Sequence, residues 1–322
     1  MNRKRNSPKK KLSVMTLQQM EYIVAVDKYR HFVKAAESCN ITQSTLSSLI
    51  QKLETELDVT IFDRNSHPIR PTAVGEELIR QAKIVLYNAS QMREIVLSEK
   101  EQESGEIKMG VVSTIAPYIL PKMFKTLKED YPLLSLTVEE AQVATIIHKL
   151  ERAELDVALL ALPLNNKDLL EIPIYEEKFV AYVSKQEHLF KFEELNIDDL
   201  PTENLWVLRE GYCPNNGIFS FCNRQKGNAA IYEAGSIETL VKIVDENGGY
   251  TIIPELHVPL LRRCQQQQIR PLRNPEPSRR VGLVIRKDFV RQRLLNILSD
   301  AIKKVIPDYM VDARLKRFTI KL

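Results

Sequence analysis

The sequence predicts a chain in three parts: an N-terminal all-α winged helix-turn-helix head, a long linker helix, and a C-terminal α/β effector domain built from two Rossmann-like subdomains. Three observations carry this. Three short helical patterns, with a tight turn between the second and third, occupy residues 13–72. A run from Thr72 to about Glu103 contains no proline, and its only glycine is Gly75 in the first turn. Beyond that run, strand-like and helix-like stretches alternate, the order that gives a parallel sheet covered by helices.

At 322 residues and 44% apolar, the chain can bury the cores of two or three domains. Its charged fraction of 27% is ordinary for a globular protein, and the net charge of +4 is mild. The first twelve residues hold six Lys or Arg and no acid, and no apolar stretch follows them, so no secretory signal is expected. Residues 1–12 read as a basic flexible tail, either a solvated extension or an auxiliary phosphate contact. No run long and apolar enough to span a membrane is present, and no membrane partner is expected. Four cysteines in a large chain without a signal imply a reducing, cytoplasmic setting, where disulfides are transient. The five histidines show no metal-ligand spacing, so neither a metal nor a cofactor is expected.

In the head (13–72), Thr16-Leu-Gln-Gln19 is a capping box ahead of the apolar positions Leu17, Met20, Ile23 and Val24. A second helix places Phe32, Ala35, Ala36 and Cys39 on one stripe, which makes Cys39 a core residue. After the turn Asn40-Ile41, Thr42 caps a third helix whose buried face is Leu46, Leu49, Ile50, Leu53 and Leu57. Its opposite face carries Gln43, Ser44, Thr45, Ser47, Ser48, Gln51 and Lys52. Hydroxyls and helix-start amides suit phosphate, and Gln can pair bidentately with adenine in the major groove. The same face would also serve as an ordinary solvated one. A short hairpin wing follows, with Arg64 and Arg70 placed to reach the DNA backbone or minor groove.

In the linker (73–103), Leu78, Ala82, Val85, Ala89, Met92 and Val96 alternate at spacings of four and three. Such a seam calls for a partner helix; a second copy of the chain is the expected one, and packing on the chain's own domain is the alternative. Two-fold symmetry then implies a roughly palindromic double-stranded DNA target. The effector domain is expected over 104–310, with subdomain I at 104–177 and 273–310, subdomain II at 178–272, and a tail at 311–322. Strands are read at Ile107–Val112, Leu134–Val138 and Asp156–Ala161 with helices between them, and a second such unit from about Phe179 to Pro271. A strand Gly282–Arg286 and a closing helix Val290–Val305 complete the domain.

Cys213 and Cys222 stand nine positions apart. As one helix, nine residues would hold their Cα atoms roughly 13 Å apart; as a strand, on the order of 30 Å. A disulfide needs about 4.4–6.8 Å, so joining them would remake any regular backbone between them. The spacing leaves two readings open: a thiol switch, or two inert cysteines. Cys264, in the polar run Arg262-Arg-Cys-Gln-Gln, has no partner at useful spacing.

The stretches TLQQMEYIVAV and HFVKAAESCNITQSTLSSLIQKLETELDVTIFDR, with Pro-Thr-x-x-Gly opening the next helix, closely resemble the LysR-type transcriptional regulators. Ser66-His67-Pro68 departs from the basic cluster that this family often has in its wing. The resemblance implies a linker helix that pairs subunits, a homodimer or homotetramer on DNA, and an effector domain like the periplasmic binding proteins. It narrows toward the peroxide-sensing members, because WVLREGYCPNNGIFSFC matches their reactive segment without gaps. This implies a peroxidatic Cys213, a resolving Cys222, and a peroxide pocket containing Thr114, Tyr212, Asn216 and Arg286. Tyr212 replaces a usual His and Asn216 a usual Asp, while Val143 stands where a second pocket Thr is common, with Thr145 nearby. Implied partners are DNA, hydrogen peroxide, RNA polymerase and a cellular disulfide reductant. The alternatives are a LysR-type regulator responding to a small effector in the cleft between subdomains, and a thiol peroxidase; an enzyme is not the expectation.

Overall fold

The computed structural model describes residues 15–98, 105–201, 203–207, 236–314 and 319–320. Its contacts divide the chain into two units, Met1–Arg93 and Glu94–Leu322.

The first unit contains helices α1 (Leu17–Tyr29), α2 (Phe32–Ser38) and α3 (Gln43–Leu57), a two-stranded wing of β1 (Phe62–Asp63) and β2 (Arg70–Pro71), and the start of α4 (Ala73–Ser98). The capping box forms: the Gln19 amide donates to Thr16 Oγ1 at 3.2 Å, and the Thr16 amide to Gln19 Oε1 at 2.8 Å. Arg30 ends α1 in the left-handed region, with φ 51°. Thr42 caps α3 by accepting the Thr45 amide at 3.2 Å. Tyr22, Ile23 and Val26 of α1 meet Ala35 and Ala36 of α2 and Leu46, Ile50 and Leu53 of α3 in one core, with Cys39 at its margin. Gly75 explains the Pro-Thr-x-x-Gly spacing. Thr72 Oγ1 caps the Gly75 amide at 3.0 Å, and a Cβ on Gly75 would lie 2.0 Å from the Ile61 carbonyl oxygen. Only glycine lets α4 begin this close to the wing.

The second unit contains β3 (Gly105–Val111), α5 (Ala116–Asp130), β4 (Leu134–Glu140), α6 (Val143–Glu151), β5 (Val157–Leu162), β6 (Leu169–Val183), β7 (Leu195–Asn196), β8 (Leu205–Trp206), α7 (Ile237–Asn247), β9 (Tyr250–Pro254), α8 (Arg263–Gln266), β10 (Ile269–Arg273), β11 (Ser278–Arg286) and α9 (Gln292–Lys303). The sheet runs β4-β3-β5-β11-β6-β10-β7, with β9 also on β6 and β8 on β9. As the alternation implies, β4, β3 and β5 are parallel. They and α5, α6 and α9 enclose a core that includes Ile107, Met109, Ile119, Val157, Leu159 and Leu298.

Two features differ from the sequence reading. First, β6 is one strand of 15 residues rather than the end of one unit and the start of another. It pairs with β11 through Lys178, and then with β9 and β10 from Phe179 onward. The charged run Glu176-Glu177-Lys178 gives the strand the look of a loop at the very point where it passes from one half of the sheet to the other. The later half, like the first, holds parallel pairs, β8 with β9 and β7 with β10, and of these strands β9 and β10 meet β6 antiparallel. Second, β11 begins at Ser278 rather than Gly282, and a register shift at Val281/Gly282 divides it.

Candidate functional site

On α3, the side chains of Gln43, Ser44, Thr45, Ser48 and Lys52 are exposed, and Arg70 is exposed on β2. Thr42 Oγ1 is 3.0 Å from Ser44 Oγ and 2.8 Å from Thr45 Oγ1, so the hydroxyls form a cluster at the helix start. Lys52 is loosely paired with Glu56 at 3.9 Å. Arg64 also has partners within the head. Its Nη1 donates to Ser47 Oγ at 3.2 Å and its Nη2 to Glu54 Oε2 at 3.0 Å, with the guanidinium 5.5 Å from the Phe32 ring centre. Arg64 is thus a brace inside the head, and Ser47 is half-buried beneath it. The guanidinium is engaged by Glu54 and Ser47, and 36% of the Arg64 side chain stays exposed.

The linker seam also divides. Ala82 is buried in the head's own core, and Leu78 packs against that core. Lys83 pairs with Asp27 of α1 at 3.0 Å. Val85 and Met92 are exposed, at 39% and 68%, and Ala89 is half-buried. The Val96 side chain lies outside the described residues. Ala82 is therefore taken up by its own chain, while Val85, Ala89 and Met92 continue an apolar stripe.

In the second unit, Thr114 sits in the turn between β3 and α5 and is 2% exposed. The guanidinium that meets it belongs to Arg279, at the start of β11. Arg279 Nη1 donates to Thr114 Oγ1 at 3.0 Å, and Nη2 to the Thr114 carbonyl at 2.8 Å. Behind it, Arg279 Nε donates to Glu177 Oε1 at 2.8 Å, and Nη2 lies 2.7 Å from the same oxygen. The Tyr118 hydroxyl lies 3.0 Å from Glu177 Oε1 and 2.5 Å from the Thr114 carbonyl, either of which can take its single proton, and it accepts from Arg279 Nη2. The Phe179 ring centre is 5.5 Å from the guanidinium carbon.

Burial pushes the Tyr118 and Tyr175 phenols well above their ordinary values. It also raises the Glu177 carboxyl, against the opposing pull of Arg279. For Arg279 burial opposes the charge, but Glu177 more than offsets this, and the guanidinium stays protonated. Four elements converge here: the turn before α5, α5 itself, β6 at its passage between the halves, and β11. Together they present a hydroxyl and a guanidinium two residues ahead of a helix start, where positive partial charge favours an anion or a polarised oxygen.

Arg286 is not part of this cluster. It lies seven residues further along β11, roughly 23 Å of strand away, and pairs with Asp288 through Nε at 2.9 Å and Nη2 at 2.7 Å. The missed residues, Arg279 and Glu177, carried a signal: adjacent charges at a strand entry, facing a Glu-Glu-Lys run that belongs to a strand. Thr145 is exposed on α6, and Val143 packs against the core. Tyr212, Cys213, Asn216 and Cys222 lie outside the described residues. The chain enters their segment from β8, where Trp206 Nε1 donates to the Gly248 carbonyl at 2.9 Å and Thr251 Oγ1 to the Trp206 carbonyl at 2.8 Å. It leaves at α7, whose first residue Ile237 is buried. Among the described residues, no group of three His, Cys, Asp or Glu side chains could hold a metal, and no helix is long and apolar enough to cross a membrane.

Residues 17–76 match the family described as bacterial regulatory helix-turn-helix protein, LysR family, and residues 100–307 match the LysR substrate binding domain. The chain is 32% identical over 290 residues to the DNA-binding transcriptional dual regulator OxyR of Escherichia coli K12, an alignment covering 90% of this chain and 95% of that protein. Among solved structures, a full-length OxyR variant from Pseudomonas aeruginosa superposes with a TM-score of 0.78 at 30% identity, covering 94% of this chain and 99% of that one. A hydrogen-peroxide-bound OxyR mutant from Corynebacterium glutamicum gives a TM-score of 0.56 at 27% identity, with 92% and 94% covered.

Proposed function

The chain belongs to the LysR family of regulatory helix-turn-helix proteins, and from that premise we infer that it senses hydrogen peroxide through a reversible Cys213–Cys222 disulfide and controls transcription accordingly. The observation that carries this reading is the buried pairing of Thr114 with Arg279, a hydroxyl and a fixed positive charge in a chain similar over nine-tenths of its length to OxyR. Arg279 takes the role that sequence reasoning gave to Arg286.

The chemistry is that of a thiolate. An ordinary cysteine has a pKa of about 8.5 and is mostly protonated at neutral pH. Arg279 stabilises the Cys213 anion, and the Thr114 hydroxyl holds a peroxide oxygen. The sulfur attacks that peroxide, the O–O bond breaks, and sulfenic acid forms while hydroxide leaves and takes a proton to become water. The Cys222 thiol then displaces the sulfenic oxygen as a second water, giving the disulfide. A cellular dithiol reductant reverses the step.

Closing so short a loop restrains the unfolded chain by only about 2–3 kcal/mol, whereas reversing a two-state equilibrium needs about 5.5 kcal/mol. The disulfide therefore acts by excluding the reduced packing, not by restraint alone. The effector domains then meet differently in the homodimer or homotetramer. The DNA contacts come from Gln43, Ser44, Thr45, Ser48, Lys52 and Arg70, on a roughly palindromic site. RNA polymerase is the downstream partner, and the cytoplasm is the compartment in which both the DNA and the reductant are met. Counting free thiols after one equivalent of peroxide tests the sensing step. Loss of two thiols supports it; loss of none points to a small-molecule effector, and continuous peroxide consumption with thioredoxin points to a peroxidase.

A further inference from the structure

Glu177 is a buried negative charge to which the chemistry above gives no part. Its side chain and that of Arg279 have no exposed surface at all. A buried ion pair is weak evidence for stability, since an apolar pair of similar volume often does as well. The groups that face Glu177 are Arg279 from β11, Tyr118 from α5, Tyr175 two positions away on β6, and the Leu256 amide from the turn Glu255–Leu260. Among the described residues, Arg279 is the only cation that faces it. The guanidinium thus sits between a carboxylate 2.7 Å away on one side and the Thr114 hydroxyl 3.0 Å away on the other.

This geometry has two consequences. The bonds from Nε and Nη2 to a single carboxylate oxygen fix the fork so that Nη1 points at Thr114. The carboxylate also turns a lone positive charge into an ion pair, whose potential at Thr114 is smaller and falls off faster with distance. Resting on the reading that Arg279 stabilises the Cys213 thiolate, we propose that Glu177 is a positioning residue that aims Arg279 at Thr114 and limits the positive potential felt by the thiol. The sensor's reactivity is then set by the Glu177–Arg279 pair and not by arginine alone.

The test is the pH profile of the rate at which peroxide consumes thiols in the full chain, with melting temperature followed alongside. Glu177→Gln keeps an acceptor oxygen for Nε and removes the charge. It should lower the apparent pKa of the reaction by on the order of one unit, making oxidation up to about tenfold faster on the acid side. A carboxylate with only a structural role would move the melting temperature and leave that pKa alone. Glu177→Asp keeps the buried charges balanced while withdrawing the carboxylate by one methylene, so it should shift the pKa the same way by less. It decides the matter if the Gln variant does not fold. An apparent pKa that is unchanged or raised in a folded variant overturns the proposal. Arg279→Gln separates the two levels. It should raise the pKa; if it does so while the Glu177 variants do not lower it, only the role of Glu177 fails. If Arg279→Gln leaves the wild-type profile, the reading of the pocket itself fails.

Discussion

Glu54 and Arg64 tie the wing to the third helix. Arg64 Nη2 donates to Glu54 Oε2 at 3.0 Å, and the other oxygen of that carboxylate accepts the amides of Ile61 at 2.7 Å and Phe62 at 3.2 Å. The carboxylate thereby satisfies two backbone donors at the entry to β1 and the arginine that follows it. Because Arg64 is spent on this brace, replacing it should not remove a phosphate contact. Arg64→Gln is expected to weaken DNA binding at every salt concentration and to cost the head roughly 1–2 kcal/mol, leaving the slope of log K against log salt unchanged. Lys52→Gln or Arg70→Gln should instead reduce the magnitude of that slope by about 0.9 each. A comparable loss of slope for Arg64→Gln would make it a phosphate contact after all.

The linker residues should separate in the same manner. Met92→Glu and Val85→Glu alter an exposed stripe and should dissociate the oligomer, seen by sedimentation, while the head keeps its thermal transition. Ala82→Asp puts a charge into the head's own core and should unfold it, at a cost of about 3 kcal/mol or more. An unfolded head in the first two variants, or an intact one in the third, would contradict this division.

The broad layout was legible from residue patterns because each part carries its own period and caps. Thr16 and Thr42 announce their helices, and the apolar positions of α1–α3 recur at helical spacing. The parallel arrangement of β3, β4 and β5 follows from the alternation of strands and helices. What could not be read was any pairing that depends on strands far apart in sequence. Glu177 and Arg279 are 102 positions apart and meet only because β6 and β11 run side by side. Arg286 and Arg279 lie on the same strand, and sequence alone does not say which end of it approaches Thr114. Arg64 has the right charge for DNA, and only the structure shows that Glu54, ten positions earlier, also engages it. A seam position such as Ala82 has the same ambiguity: spacing shows that it is covered, not by which chain.

His257 gives the fold an acid limit. It is 1% exposed, its Nδ1 has no partner among the described residues, and burial lowers its pKa below the ordinary value of 6.5, with Glu238 opposing. Below 6.5 the unfolded chain takes up a proton that the folded one refuses. The stability present above 6.5 is therefore lost as pH falls from there toward the folded pKa. His257→Gln should flatten the dependence of melting temperature on pH across that window. An unaltered dependence would mean that other groups set the acid limit.

Arg279 and Arg286 make opposite claims on the same reaction. Arg279→Gln should slow peroxide-driven thiol loss at neutral pH by at least tenfold, since the fixed positive charge assigned to stabilise the thiolate is removed. Arg286→Gln breaks the pair with Asp288 and should react at close to the wild-type rate. Stopped-flow thiol titration of the two variants decides between them, and a reversed order would return the pocket to Arg286.

The most direct measurement is a footprint of the reduced and oxidised forms on one promoter, with transcription read from the same template and Cys213→Ser and Cys222→Ser as controls. Oxidation of the wild-type protein should shift the protected region and change transcription, and dithiol reductant should restore both. Cys213→Ser should be fixed in the reduced pattern, and Cys222→Ser should consume peroxide without completing the change. Identical footprints and identical transcription from the two wild-type forms would contradict the account, because Cys213 and Cys222 would then not be the switch.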